Sequence, residues 1–300
     1  MNLIETDSST FFKLFPQPRT AFGLEAFNAL NVHKAEAIKA FVLEDLKGKP
    51  RLGVLLGLID GLWRAPYSAP FAEIAYNRPE TIETCLEFAK ALKSTGLPMR
   101  IILAPDFYDA EMLPLFTLSL SSVSSGRYDD FNYSYDLAKY PDICSGFHRN
   151  AQKNYRHALR SGFDFIADAS LEETYGVIRR NREENGYPLA MSLEQVKATS
   201  AVIDMHCFLL RKEGRDAAAA LVYRLNPRHA MVVYWGDVAE FRPDRPMNLL
   251  AHSVFEACRA LGYETLDIGP SSSQGIPDPG LCSFKESLGC TLTSKSIINY

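Results

Sequence analysis

The sequence predicts an α/β fold built as two successive domains, and two observations carry that reading. A strand, a hairpin, a helix and a further strand follow one another in the first half, and the same order returns roughly 165 residues later, about one domain length. Length and composition agree: 300 residues, 47% hydrophobic and 23% charged, supply one large core or two medium ones without disulfide or metal staples.

Each element has a local cause. AIKAFVLED (37–45) alternates as a strand, and GVLLGLIDGLWRAPYSAPFAEIAY (53–76) is apolar and aromatic with turn formers in its middle, so it reads as consecutive strands. RPETIETCLEFAKALKSTG (78–96) places Ile82, Leu86, Ala89 and Leu92 at helical spacing and stops at Gly96; MRIILAP (99–105) follows as a strand. In the second half HCFLLRKEG (206–214) is a strand, and DAAAALVYRLNPRHAMVVYWGD (216–237) is two strands around an N-P-R turn. MNLLAHSVFEACRALG (247–262) is a helix with Leu250, Val254, Ala257 and Leu261 on one face and Gly262 at its end, and YETLDIGP (263–270) is the closing strand. The domain boundary is expected after the strand RYDDFNYSYDL, where YPDIC opens a helix near residue 142, giving domains 1–141 and 142–300.

Charge and motifs exclude several classes. A formal charge of −4, from 32 basic and 36 acidic residues, rules out a generally cationic nucleic-acid or membrane binder and leaves only a local basic groove open. No apolar run is long enough to span a bilayer, and MNLIETDSSTFFKLF lacks the pattern of a secretory leader. Six scattered cysteines without a C-x-x-C pair read as reduced thiols of a cytoplasmic protein, and the histidines show neither H-x-x-x-H nor H-E-x-x-H, so no metal is expected. G-x-G-x-x-G, G-x-x-x-x-G-K-[ST] and G-x-S-x-G are all missing, and Ser287 in K-E-S-L-G reads as structural.

Three segments can carry chemistry. In FHRNAQKNYRHALRSG, Arg149, Lys153, Arg156 and Arg160 share one helical face, either a phosphate- or RNA-binding face or an ordinary solvated one. In VAEFRPDRPMN, Arg242 and Arg245 flank the start of a helix whose N–H groups favour an anion, although a proline-stiffened loop would look the same. In LDIGPSSSQGIPDPGLCSFKESLGC a strand ends at Asp267, and Phe284-Lys285 is expected to open a helical turn that ends at Gly289. Lys285 there is either an anion-neutralising group or a surface lysine.

Taken together these residues resemble a known family. Lys153-Asn154-x-Arg156-x-Ala158 with Gly162, Tyr234-x-Gly236, Gly262-Tyr263, Asp267-Ile268-Gly269 and Gly280-Leu281-x-x-Phe284-Lys285 with Gly289 look like the tandem-domain N-acyltransferases of the GNAT superfold. In particular they resemble the Fem-type peptidoglycan-bridge aminoacyltransferases and their acetyltransferase-like relatives. The resemblance is strongest over 145–300; in the first half Ala65 to Phe71 resembles the family's S-P-F segment.

The resemblance implies two GNAT-like domains, each a mixed, mostly antiparallel sheet flanked by helices, with the acceptor on the first domain and the donor on the second. It implies direct transfer of an acyl or aminoacyl group from a thioester or ester carrier to an amine on a small molecule or peptide, without a covalent enzyme intermediate. Acyl-CoA, acetyl-CoA first, is the expected donor, and nucleic acid enters only if the donor is aminoacyl-tRNA. Tyr234, Lys285 and Asp267 are the implied catalytic residues, with Tyr234 as general acid and the strand from Tyr234 to Asp237 supplying the oxyanion contact. Gly236, Arg242, Arg245, Asn248 and Arg156 fall on the donor side; Arg64, Tyr67, Ser68 and Glu73 fall on the acceptor side, where Glu73 is, with Asp267, a candidate for taking the amine proton. Two departures stand against a simple transfer of roles. The pyrophosphate signature R/Q-x-x-G-x-G/A is missing from 237–248, and no long coiled-coil arm interrupts the second domain. A catalytically silent binding module and an aminoacyl-tRNA-dependent transferase with RNA on helix 147–161 therefore remain open at this point.

Overall fold

The computed structural model describes residues 1–300 and divides them into two compact units. These are not the contiguous segments 1–141 and 142–300. The first comprises Met1–Phe131 with Ser272–Pro277 and Thr293–Tyr300, and the second Asn132–Ser271 with Asp278–Leu292. The cause is two long strands, Gly126–Asp136 and Thr291–Asn299, each of which begins in one unit and ends in the other. Each pairs with a strand more than a hundred residues away, and such a partner leaves no local mark, so the structure does not divide at a single cut in the chain.

The first unit is a mostly antiparallel sheet. Strand Ala37–Glu44 pairs with Asn2–Thr6 on one side and Pro50–Ile59 on the other. Pro50–Ile59 turns into Leu62–Ala65, which runs parallel to Met99–Ile102 from Trp63↔Met99 to Ala65↔Ile101, and Ile297–Asn299 closes antiparallel on Arg100–Ile102. Helix Ile82–Ser94 supplies the crossover between the parallel strands; Thr81 accepts a cap bond from Thr84 N, and Gly96 ends the segment at φ +68°.

The second unit repeats that order. Met205–Lys212, Arg215–Arg224 and His229–Asp237 form an antiparallel meander, with Asp164–Ile166 at its edge. Helix Pro246–Ala260 crosses over to Thr265–Pro270, which lies parallel to His229–Asp237 and antiparallel to residues 132–136. Ala217, Ala218, Ala219 and Ala220 are all fully buried, and consecutive strand residues point to opposite faces, so both faces of this strand are covered. Methyl side chains let helices Leu171–Asn185 and Pro246–Ala260 approach it closely. No helix is long and apolar enough to cross a membrane, and all six cysteines are free thiols.

Two local expectations are corrected. Only a short 3₁₀ turn, Ile143–Gly146, forms after residue 142, and the α-helix begins at Arg149. Phe284-Lys285 does not open a helical turn but lies inside helix Pro279–Ser287, whose start is set by Pro279 and by Asp278 accepting from Leu281 N.

Candidate active site

The site of the second unit starts with a failure of pairing. His229–Asp237 and Thr265–Pro270 stay in parallel register only from His229↔Thr265 to Met231↔Asp267. On its other side His229–Asp237 pairs Val232 with Val222 and Tyr234 with Leu221, leaving Val233 as a bulge residue without a partner. A bulge bends its strand and adds twist. The strand therefore veers away from Thr265–Pro270, and its edge beyond Met231 keeps N–H groups with no ladder partner there.

A cleft of about 420 Å³ opens at this splay. Val232, Val233, Trp235, Gly236 and Asp237 line one wall and Ile268, Gly269 and Pro270 the other. Helix Leu171–Asn185 contributes Asn181, Arg182 and Asn185; Arg242, Met247, Leu281, Phe284 and Lys285 complete the lining with Tyr187. Three cations (Arg182, Arg242, Lys285) face one carboxylate (Asp237), so the lining carries a formal +2. Met247 lies in the first turn of helix Pro246–Ala260, which brings the positive end of the helix dipole to the cleft.

The polar side chains are held in place. Arg242 Nε donates to Asp237 Oδ1 at 3.1 Å and its Nη2 to Asn185 Oδ1 at 3.3 Å. Burial raises the Asp237 carboxyl above its ordinary range, against the pull of Arg242. Asn181 Nδ2 donates to Asp237 O at 2.7 Å. Lys285 is 4% exposed, and its Nζ donates to Gly269 O at 2.8 Å and Pro270 O at 2.9 Å. Burial lowers the Lys285 ammonium to about 8, partly opposed by Asp267. The lysine is thus a brace on the diverging strand end as well as part of the cleft wall.

Gly236, Arg242 and Lys285 are the residues named from sequence that this cleft brings together. Tyr234 is not among its lining: the ring lies 5.8 Å under the Arg182 guanidinium, and burial raises its hydroxyl pKa. Asp267 is fully buried behind the strand, accepting from Asn132 Nδ2 at 2.9 Å and Gly269 N at 2.8 Å. Asn248 is buried in its helix, Arg245 is exposed in the left-handed conformation (φ +59°) just before that helix, and Arg156 is exposed and bonds Gln152. Asn181, Arg182, Asn185 and Asp237 carry much of the cleft's polar character. A capping-box signal, Ser170-Leu-Glu-Glu173, marked the helix of the first three in the sequence, but nothing local marked the face that meets the cleft, and Asp237 ends a strand.

In the first unit the four acceptor-side residues are tied to near neighbours. Arg64 pairs with Asp60 at 3.7 Å; Tyr67 donates to Asn28 O at 3.0 Å; Ser68 accepts from Lys34 Nζ and donates to Asn31 Oδ1, both at 2.8 Å. Glu73 accepts from Arg19 N at 2.8 Å and Thr20 N at 3.0 Å at the edge of a small aromatic cavity of about 40 Å³. Burial pushes Glu73 from 4.5 up to about 7. Between those values the native state keeps a proton that the unfolded chain has released. This contribution to stability is therefore complete below pH 4.5 and lost as pH rises through 7. Relative to Glu73→Gln, the wild type is expected to lose about 3 kcal/mol over that window. Urea unfolding of both proteins at several pH values checks it; parallel curves would contradict the assignment.

A parallel strand pair splayed by a bulge, with a basic cleft at the fork and a crossover helix aimed at it, defines a GNAT-type acyltransferase fold, here in tandem. Residues 147–278 match the family described as Acetyltransferase (GNAT) domain, so the second unit carries such a domain. FemX is similar over 99% of this chain and 97% of its own, with TM-score 0.64 and 12% identity. L-PGS from Bacillus licheniformis is similar over 98% of this chain and 92% of its own, with TM-score 0.57 and 13% identity. A tandem GNAT protein from the clavulanic acid biosynthesis pathway covers 100% and 98%, with TM-score 0.56 and 12% identity. No curated protein matches the sequence. The chain therefore has a tandem GNAT fold, and residues 147–278 of it match the acetyltransferase domain family.

Proposed function

We propose that the protein transfers an acyl group from a thioester carrier, acyl-CoA and first of all acetyl-CoA, to an amine on a small molecule or peptide. The observation that carries this is the cleft at the splayed strands. Its +2 lining and helix N-terminus suit the phosphates of a donor, and Val232, Trp235, Met247 and Phe284 give an acyl chain an apolar wall. Arg242 takes the place of the missing glycine-rich loop, already oriented by Asp237 and Asn185.

In the reaction the amine nitrogen attacks the acyl carbon and the carbonyl electron pair moves onto oxygen. Collapse re-forms the carbonyl, breaks the carbon–sulfur bond and releases a thiolate that takes up the amine's proton. The N–H groups of the strand edge beyond Met231, where the parallel register has ended, supply the oxyanion donors. Asp237 is the carboxylate within the cleft that can receive the proton on its way; Asp267, enclosed by Asn132 and Gly269 N, braces the strand.

Calorimetric titration with acetyl-CoA and longer acyl-CoAs tests this reading. Binding is expected in the wild type, and Arg242→Ala with Arg245→Ala is expected to weaken it at least tenfold, about 1.4 kcal/mol. Absence of heat with every acyl-CoA would overturn the thioester donor.

A second reading has its own observation. Arg149, Lys153, Arg156 and Arg160 are all exposed on helix Arg149–Arg160, and none forms an ion pair. An aminoacyl-tRNA donor would engage that face. It predicts RNA binding that falls steeply with salt and is weakened by Arg149→Ala, Lys153→Ala and Arg156→Ala together.

A further inference from the structure

We propose that the second unit contains a divalent-metal site formed by Asp142, His252 and Glu256, separate from the acyl-transfer cleft, which none of the three lines. One ligand atom from each residue falls in a set whose members all lie within 4.8 Å of one another. His252 and Glu256 are one turn apart on helix Pro246–Ala260 and therefore share a face. Asp142 is brought to them by the 3₁₀ turn Ile143–Gly146, which it caps by accepting from Cys144 N.

The three groups are prepared for a cation. The His252 ring is stacked on Tyr155 with centroids 4.3 Å apart and stands edge-on to Phe147 at 6.2 Å, which fixes its orientation. Its burial favours the neutral imidazole, the form that binds metal. Glu256 engages Arg259 Nη2 through Oε2, leaving Oε1 for another partner, and Asp142 keeps Oδ2. Two carboxylates and one imidazole, half-buried or at the surface, leave open positions for water, a donor set that suits Zn²⁺, Co²⁺ or Mn²⁺ better than soft metals. The ion would tie the 142–146 turn to helix Pro246–Ala260.

The test uses the full chain, freed of metal by a chelator and titrated with Co²⁺ and, separately, with Zn²⁺. One Co²⁺ per chain is expected, with visible d–d absorption and a rise in Tm of at least ~2 °C at saturation. Asp142→Asn, on an exposed turn, is expected to weaken binding at least tenfold without unfolding the protein, and Glu256→Gln to do the same. Binding that neither variant weakens would place the ion elsewhere and overturn the proposal, as would the absence of binding. A thermal scan of each metal-free variant separates loss of the site from loss of the fold.

Discussion

Gly236→Ala is expected to cut donor affinity at least tenfold and to cost about 1–3 kcal/mol of stability. A Cβ at this position would stand 2.4 Å from Asn181 Cγ and 2.5 Å from Asn181 Oδ1, distances that no side chain tolerates. Asn181 is 7% exposed, on a helix packed against this strand, so its amide has little room to withdraw. If it does withdraw, its bond to Asp237 O is lost, and Asp237 is the residue that orients Arg242. The substitution thus reaches Arg242, the cation proposed to take the donor's phosphates, through two contacts.

A double-mutant cycle isolates that route. Asn181→Ser shortens the side chain and keeps a hydroxyl, so in the Gly236→Ala background it is expected to restore part of the lost stability, with a coupling of about 1–2 kcal/mol. Denaturant unfolding gives the stability cycle, and acyl-CoA calorimetry gives the affinity. Additive effects would mean that the strand end yields without pushing on Asn181. A coupled stability cycle with unchanged affinity would keep the packing argument and detach it from donor binding.

The parts of this chain that were legible in sequence are those with local causes. Leu86, Ala89 and Leu92 mark a helix by their spacing, and Gly96 and Gly262 stop helices because they sit at φ +68° and +86°. The N-P-R turn fixes the hairpin between Arg215–Arg224 and His229–Asp237. What was not legible depends on distant partners. TLTSKSIIN alternates like any strand, and nothing in it says that Ile297–Asn299 pairs with Arg100–Ile102. Tyr234 stands in a motif that suggested catalysis, yet Arg182, whose guanidinium lies over its ring, is more than fifty residues earlier. The spacing of His252 and Glu256 on one helix face was visible, but Asp142 is added only by the fold. Lys285 was conspicuous beside Phe284, while its burial and its two carbonyl partners depend on where strand Thr265–Pro270 ends.

That burial gives Lys285 a second measurable signature. Lys285→Met removes both donors from the carbonyls of Gly269 and Pro270, the first of them buried, and takes away the positive charge nearby that favours the fully buried Asp267. Leaving such groups without a partner is expected to cost about 2–4 kcal/mol, which near pH 7 is largely offset by removing the burial cost of the ammonium, about 3 kcal/mol. The pH dependence then distinguishes a lysine from any other group in this place. Its value falls from 10.5 in the unfolded chain to about 8 in the folded one. Between those values the unfolded chain binds the extra proton, so stability rises with pH. A neutral amine still has two N–H donors, enough for both carbonyls, so deprotonation relieves the burial cost without breaking the brace. The gap between wild type and Lys285→Met is therefore expected to widen by about 3 kcal/mol from pH 8 to pH 10.5, while groups common to both proteins cancel. A gap that stays constant would place the lysine in contact with water. A gap that narrows would mean that the charged form is the one the fold prefers, and Lys285 would then hold the cleft by its charge, which is how an anionic donor would engage it.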